Sequence, residues 1–277
     1  MTTSNTPRPT KAERRESARE QARLLREAQE KRERRNRLLL IGGLVVAVAL
    51  IAVAVFSIIG AGQTKDLADV AAPANTDGKG GVIVGADGVG TATEGAPVVD
   101  VYADFMCPVC SQFEEINGPM LEELRQSGQA TLQMHPVAIL DRFSEGTAYS
   151  TRSAQAAAVV ADAAPEQFLA FWQALFDNQP AENTPGLSDE EIAGIAVDAG
   201  VPQAVADTFT EGRFTDWVTA ATELAATEHQ PFGTPTVIVD GTKFEGDWSN
   251  PENLRAAIVG DAAPSAEPSE LATTPAG

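Results

Sequence analysis

The stretch FMCPVC, Phe105 to Cys110, holds both cysteines of a 277-residue chain. Two residues separate the thiols, and a proline stands directly behind the first. The segment before it, PVVDVYADF (97–105), is rich in β-branched and aromatic residues and reads as a strand. The segment after it reads as a helix from Pro108, with Val109, Phe113, Ile116 and Met120 at helical spacing. Cys107 therefore falls on a strand-to-helix junction. With Pro108 as the first helical residue, Cys107 is the N-cap and Cys110 the third position. The cap sulfur faces unpaired backbone N–H groups at the positive end of the helix dipole, which favours thiolate over thiol. Cys110 lies one turn further in and is the more shielded. This asymmetry suits an outer sulfur that attacks or is attacked, and an inner one that resolves the mixed disulfide. Val109 and Pro108 support the helix start; Asp104 and Asp100 are candidates for proton transfer, although strand-end, solvated carboxylates are the plainer reading.

Outward from this stretch, GVIV (81–84) and ATLQMHPVAI (130–139) read as further strands, and Gly118-Pro119 should kink or break the helix between. A long helical block comes next, carrying Phe168, Phe171, Trp172, Phe176, Phe214 and Trp217 at helical spacings expected of a core. Within it SDEEIAGIAVDAG shows an N-cap at Ser188, Glu191 three residues on, and a stop at Gly200. Strand character returns at TPTVIVDG (234–241), with a tight turn at Asp240-Gly241, and NPENLRAAIVG closes with a helix capped by Asn250. Thr234-Pro235 stands at the start of its strand, where a residue without an N–H belongs. Removing the helical block leaves strand–helix–strand and strand–strand–helix, an α/β core with one inserted helical subdomain.

The net charge of −19 is unevenly spread. Residues 1–37 carry 12 Lys/Arg against 6 Asp/Glu, and nothing is charged from Leu38 to Gly60. The remainder carries 8 Lys/Arg against 33 Asp/Glu, a balance of −25, which argues against nucleic-acid binding. LLLIGGLVVAVALIAVAVFSIIG (38–60) is long enough to span a hydrocarbon core of about 30 Å and directly follows KRERRNR. Positive charge at that end predicts a cytoplasmic N-terminus and everything after Gly60 outside the cytoplasm, where thiols can be oxidised. The expected organisation is a basic cytoplasmic segment (1–37), a transmembrane helix (38–60), a linker (61–80), a folded domain (81–260, helical insertion about 144–230) and a disordered tail (261–277).

DFMCPVC (104–110), the strand containing MHPVAILD (134–141) and FGTPTVIVDG (232–241) resemble the DsbA-like thiol–disulfide oxidoreductases of the thioredoxin superfamily. The likeness is to the membrane-anchored forms of Gram-positive cell envelopes and spans about residues 80–260. It implies a thioredoxin-like fold, Cys107 as nucleophile and Cys110 as resolving cysteine of one redox disulfide. It further implies a cis Pro235 beside the sulfurs, with the Thr234 backbone offered to an extended substrate peptide. Exported proteins with free cysteines would be the substrates, and a quinone-linked membrane enzyme the reoxidant. No cofactor or metal is called for, because the cysteines carry the electrons. Strong oxidants of this family have a histidine where this chain has Val109, and some relatives have a second disulfide that is missing here.

Other readings of the residues stay open. A zinc site would need more than one C-x-x-C, and His135 and His229 have no paired spacing. His135, on a strand, reads as a hydrogen-bonded structural histidine. A purely structural disulfide would close too small a loop to stabilise much. A reductase or isomerase of the same fold, or a non-enzymatic binding or chaperone module, are the functional alternatives to an oxidase.

Overall fold

The computed structural model describes residues 65–260. The basic segment, the expected transmembrane helix and the tail lie outside this range. Among the described residues no helix is long and apolar enough to cross a membrane.

The centre is a six-stranded sheet. Its strands are β1 (Val82–Gly85), β2 (Gly88–Val89), β3 (Val98–Ala103), β4 (Thr131–Pro136), β5 (Thr236–Val239) and β6 (Thr242–Lys243), in the order β2-β1-β4-β3-β5-β6. β3 pairs parallel with β4 and antiparallel with β5, so Tyr102 stands between His135 and Thr236. The parallel pair requires a crossover, which is α1 (Pro108–Gln126). Side-chain alternation sends Val99, Val101, Leu132, Met134 and Val237 into the main core. The opposite face carries Asp100, Tyr102, Gln133 and His135.

The helical insertion comprises α2 (Tyr149–Ala163), α3 (Phe168–Asp177), α4 (Asp189–Asp198), α5 (Gln203–Ala206) and α6 (Thr215–Glu228); α7 (Pro251–Val259) closes the domain. The architecture is a mixed α/β, thioredoxin-like fold with a helical insertion. The six aromatic residues expected in the core are all buried there. α4 begins with a complete capping box: the Ser188 hydroxyl accepts the Glu191 N–H, and the Glu191 carboxylate accepts the Ser188 N–H. Asn250 caps α7 through the Glu252 N–H. The Asp240-Gly241 turn has both residues at positive φ, 46° and 78°, as a two-residue hairpin turn requires.

Three expectations are corrected. α1 runs through Pro119 to Gln126 without a break. Pro119 lies on the solvent side of the helix, as does Glu115, whose carbonyl loses its partner, so water can satisfy that carbonyl. Burial of Phe113 and Leu124 on either side holds the helix together. Val109, expected on the apolar face, is 43% exposed, because the first turn projects beyond the core. Residues 65–80 are no free linker. The Ala74 N–H donates to Asp162, the Asn75 side chain to the Ala161 carbonyl, and Thr76 bridges Val82, so the segment is tied to α2 and the sheet.

Candidate active site

β3 ends at Ala103 and α1 starts at Pro108; the four residues between turn the chain. The Cys107 N–H donates to the Asp104 carbonyl (2.9 Å), and the Cys110 N–H returns to the Cys107 carbonyl (3.0 Å). Cys107 is the N-cap, with extended backbone (φ −81°, ψ 113°) and Pro108 in the first turn. Both cysteines are free thiols. Cys110 is fully buried, and Cys107, expected to be exposed, retains only 6% of its surface. Its Sγ lies 3.4 Å from the Thr234 carbonyl oxygen. The Thr234-Pro235 peptide is cis. The structure thus brings Cys107, Cys110, Thr234 and Pro235 together, with exposed Pro108 and Val109 forming the first helical turn outside them.

The two thiols differ sharply. The Cys107 pKa falls to about 6, chiefly because Cys110 hydrogen-bonds its sulfur. Burial opposes this, while the Thr234 side chain and the N–H groups of Cys110 and Val109 add to it. The helix N-terminus therefore contributes as expected, but less than the neighbouring thiol. The Cys110 pKa is pushed well above the ordinary thiol range, first by burial and then by Cys107. A low-pKa thiol at the surface edge and a high-pKa thiol beneath it are what thiol–disulfide exchange needs: one sulfur ionised at neutral pH, the other retaining its proton until it is called on.

Asp104 is fully buried, so the solvated reading is wrong for it. Its carboxylate accepts the N–H groups of Met106 (2.8 Å), Ile139 (2.8 Å) and Leu140 (3.0 Å) and the Ser150 hydroxyl (2.7 Å). Those bonds join the active-site turn to the loop after β4 and to α2. Burial outweighs them and raises the carboxyl to about 6. Asp100 lies apart, paired with His135 (2.9 Å). His135 is buried and stacked on Tyr102, as a structural histidine would be. His229 contacts the Tyr102 hydroxyl (3.1 Å).

Three residues of the site's surroundings escape a reading of the sequence. Gln179, just past α3, donates its amide to the carbonyls of Phe105 (3.1 Å) and Cys107 (3.0 Å), clamping the insertion onto the active-site turn. Glu114 is buried on α1, one turn beyond Cys110, and accepts the Trp172 indole N–H (2.9 Å). Burial raises its carboxyl to about 7. Pro231 follows a second cis peptide, after Gln230. Only Glu114 left a trace, as a charged residue adjoining the helix's apolar stripe.

A cysteine pair of this polarity at a helix start, beside a cis proline in a thioredoxin-like fold, defines a thiol–disulfide oxidoreductase. Comparison with known proteins agrees. The profile of the family described as thioredoxin matches residues 89–259, more than half of the chain, and the chain belongs to that family. Among curated proteins, none matches it by sequence. The reduced DsbA of Mycobacterium tuberculosis is 33% identical, with 66% of this chain and 93% of that one covered at a TM-score of 0.54. The reduced disulfide bond oxidoreductase DsbG of the same organism is 34% identical, covering 66% and 89% at 0.54. MdbA of Actinomyces oris, a thiol-disulfide oxidoreductase, is 25% identical, covering 73% and 99% at 0.55.

Proposed function

We propose that this chain is a dithiol oxidase that forms disulfides in exported proteins, with Cys107 as the attacked sulfur and Cys110 as its partner. The observation that carries the reading is the depressed pKa of Cys107 beside a buried, high-pKa Cys110. A thiolate stabilised in the reduced state makes the disulfide more oxidising. In the forward reaction a client thiolate attacks Cys107 Sγ of the Cys107–Cys110 disulfide. Cys110 leaves as a thiolate and, having the higher pKa, takes up a proton. A second client thiolate then attacks the client sulfur of the mixed disulfide, and Cys107 leaves as a stable thiolate. Two client thiols become one disulfide, and the enzyme disulfide becomes two thiols. The Thr234 carbonyl beside Cys107 would hold the client as an extended strand. Asp104 acts as the anchor of the turn, and its raised pKa lets it exchange a proton near neutrality.

The setting we propose is a single-pass protein of a Gram-positive cell membrane, with Lys/Arg-rich residues 1–37 in the cytoplasm and the catalytic domain outside. A quinone-linked membrane enzyme would restore the disulfide. Protease on intact spheroplasts should then remove the domain and spare an N-terminal tag; loss of the tag reverses the topology.

The reductase or isomerase reading keeps one point in its favour: Val109 gives Cys107 neither charge nor a side-chain donor. Equilibration with glutathione separates the two. An oxidase should lie well above the thioredoxin potential of about −270 mV, towards the DsbA value of about −120 mV. In parallel, the disulfide form of the full chain should oxidise a reduced, unfolded client, and Cys107→Ser should abolish this. A potential at or below that of thioredoxin, or full activity in Cys107→Ser, overturns the proposal.

A further inference from the structure

Four polar side chains converge on the sheet face that does not carry the main core. Gln133 and His135 alternate along β4, Asp100 on β3 is paired in register with Gln133, and Asp77 comes from the loop before β1. One ligand atom each from Asp77, Asp100 and His135 lies within 4.8 Å of the others. His135 Nε2 is 2.9 Å from Asp100 Oδ1. The Gln133 carboxamide turns its oxygen to Asp77 Oδ2 (2.7 Å) and Asp100 Oδ1 (2.8 Å). Acceptor oxygens at that separation repel one another unless a cation sits among them or the amide turns over to donate.

The surroundings hold these groups in place. Asp77 Oδ1 accepts the N–H groups of Lys79 (2.8 Å) and Gly81 (2.7 Å), which leaves Oδ2 directed at the cluster. A Cβ on Gly81 would lie 2.7 Å from the His135 ring, so only glycine lets this loop close over the imidazole. His135 is 1% exposed and stacks on Tyr102 with ring centres 3.9 Å apart. The charges of Asp100, Asp77 and Glu228 all raise the Tyr102 hydroxyl pKa, which marks a negative field. The nearby cation Lys79 pairs with Glu228 instead.

We propose that Asp77, Asp100, His135 and the Gln133 side-chain oxygen form a binding site for one divalent transition cation of the Mn2+ or Zn2+ class. Two carboxylates and an amide oxygen suit a hard ion, while the imidazole favours a transition metal over Mg2+ or Ca2+. The site shares no residue with the cysteine pair. A bound ion would fasten the loop before β1 to the two central strands β3 and β4, so its effect is on stability.

The test is calorimetric titration of MnCl2 and ZnCl2 into the full chain in its disulfide form, which removes the cysteine thiolates as competing ligands. One saturable equivalent is expected, with a rise in Tm, and Asp77→Asn and Asp100→Asn should each weaken binding about tenfold or more. Should these variants fail to fold, the wild-type protein still decides. The chain has only two histidines, and substoichiometric Mn2+ should broaden the imidazole NMR signals of His135 before those of His229. Absence of saturable binding, binding unchanged in both variants, or His135 signals that Mn2+ leaves sharp would overturn the proposal. The cluster would then be an ion-free hydrogen-bonded chain with the Gln133 amide turned over.

Discussion

The sulfur of Cys107 lies 3.4 Å from the carbonyl oxygen of Thr234, although 127 residues separate the two in sequence. The antiparallel pairing of β3 with β5 produces this approach, because it aligns Tyr102 with Thr236 and leaves the chain ends on either side to meet. The reacting sulfur therefore has a backbone acceptor on one side and Cys110 on the other. Changing one element of that environment at a time should alter the chemistry in a defined direction.

Cys110→Ser should trap mixed disulfides, because Cys107 can still be joined to a client but nothing on the enzyme resolves the adduct. Non-reducing gels of cell extracts are expected to show adducts for Cys110→Ser and none for Cys107→Ser. The opposite pattern would exchange the two roles.

Val109→His should make the pair more oxidising. Val109 is 43% exposed, so an imidazole fits without disturbing the core, and it stands beside Cys107. Partial positive charge there favours the thiolate. Each unit by which the Cys107 pKa falls corresponds to about 1.4 kcal/mol, or about 30 mV. Glutathione equilibration of the variant should show a shift to more positive potential; a shift in the other direction contradicts the electrostatic account.

The relative stability of the two redox forms should depend on pH. In the reduced protein the Cys107 pKa is about 6, below its ordinary value of 9.0. A depressed folded pKa adds stability that is fully present above the unfolded pKa and is lost as pH falls through the folded one. The disulfide form has no such group, while Asp104 and Glu114 are present in both forms. Acidification from about pH 9 to below 6 should therefore shift the difference in Tm towards the oxidised form. Paired melts across this range check it, and a constant difference would contradict the assigned pKa.

Glu114→Gln should flatten the pH dependence of stability in both redox forms. The carboxyl is raised from 4.5 to about 7 by burial. A raised folded pKa means that its stability contribution is complete below the unfolded value and is lost as pH rises through the folded one. That loss amounts to about 3 kcal/mol on ionisation. Glutamine keeps an oxygen for the Trp172 indole N–H and removes the charge, so the variant should match wild type near pH 4 and exceed it at pH 8. Denaturant melts at the two pH values check this; a variant less stable at pH 8 would contradict it.

Much of this molecule was legible because its signals are local. The helix start at Cys107-Pro108, the Ser188 capping box, the Asp240-Gly241 turn and the Asn250 cap each depend on a few adjacent residues, and each stands where the sequence puts it. The misses all depend on distant partners. Asp104 reads as a strand-end carboxylate until the loop after β4 and Ser150 close over it. Glu114 reads as a surface charge until Trp172 covers it. Residues 65–80 have linker composition, and only their bonds to Asp162 and Ala161 show them packed. Pro119 carries a helix-breaking signal, yet which face of α1 meets solvent decides its cost. The cation-site cluster likewise joins three separate segments, so no spacing in the sequence announces it.

The central claim is that the two thiols are unequal, with Cys107 ionised near neutrality and Cys110 protonated and shielded. Alkylation of the reduced protein by iodoacetamide as a function of pH, with the modified residue located by peptide mass, tests it most directly. The account predicts one reactive thiol per chain, Cys107, with a rate midpoint near its pKa of about 6. Equal modification of both cysteines with a midpoint near the ordinary thiol value of 9.0 would contradict it.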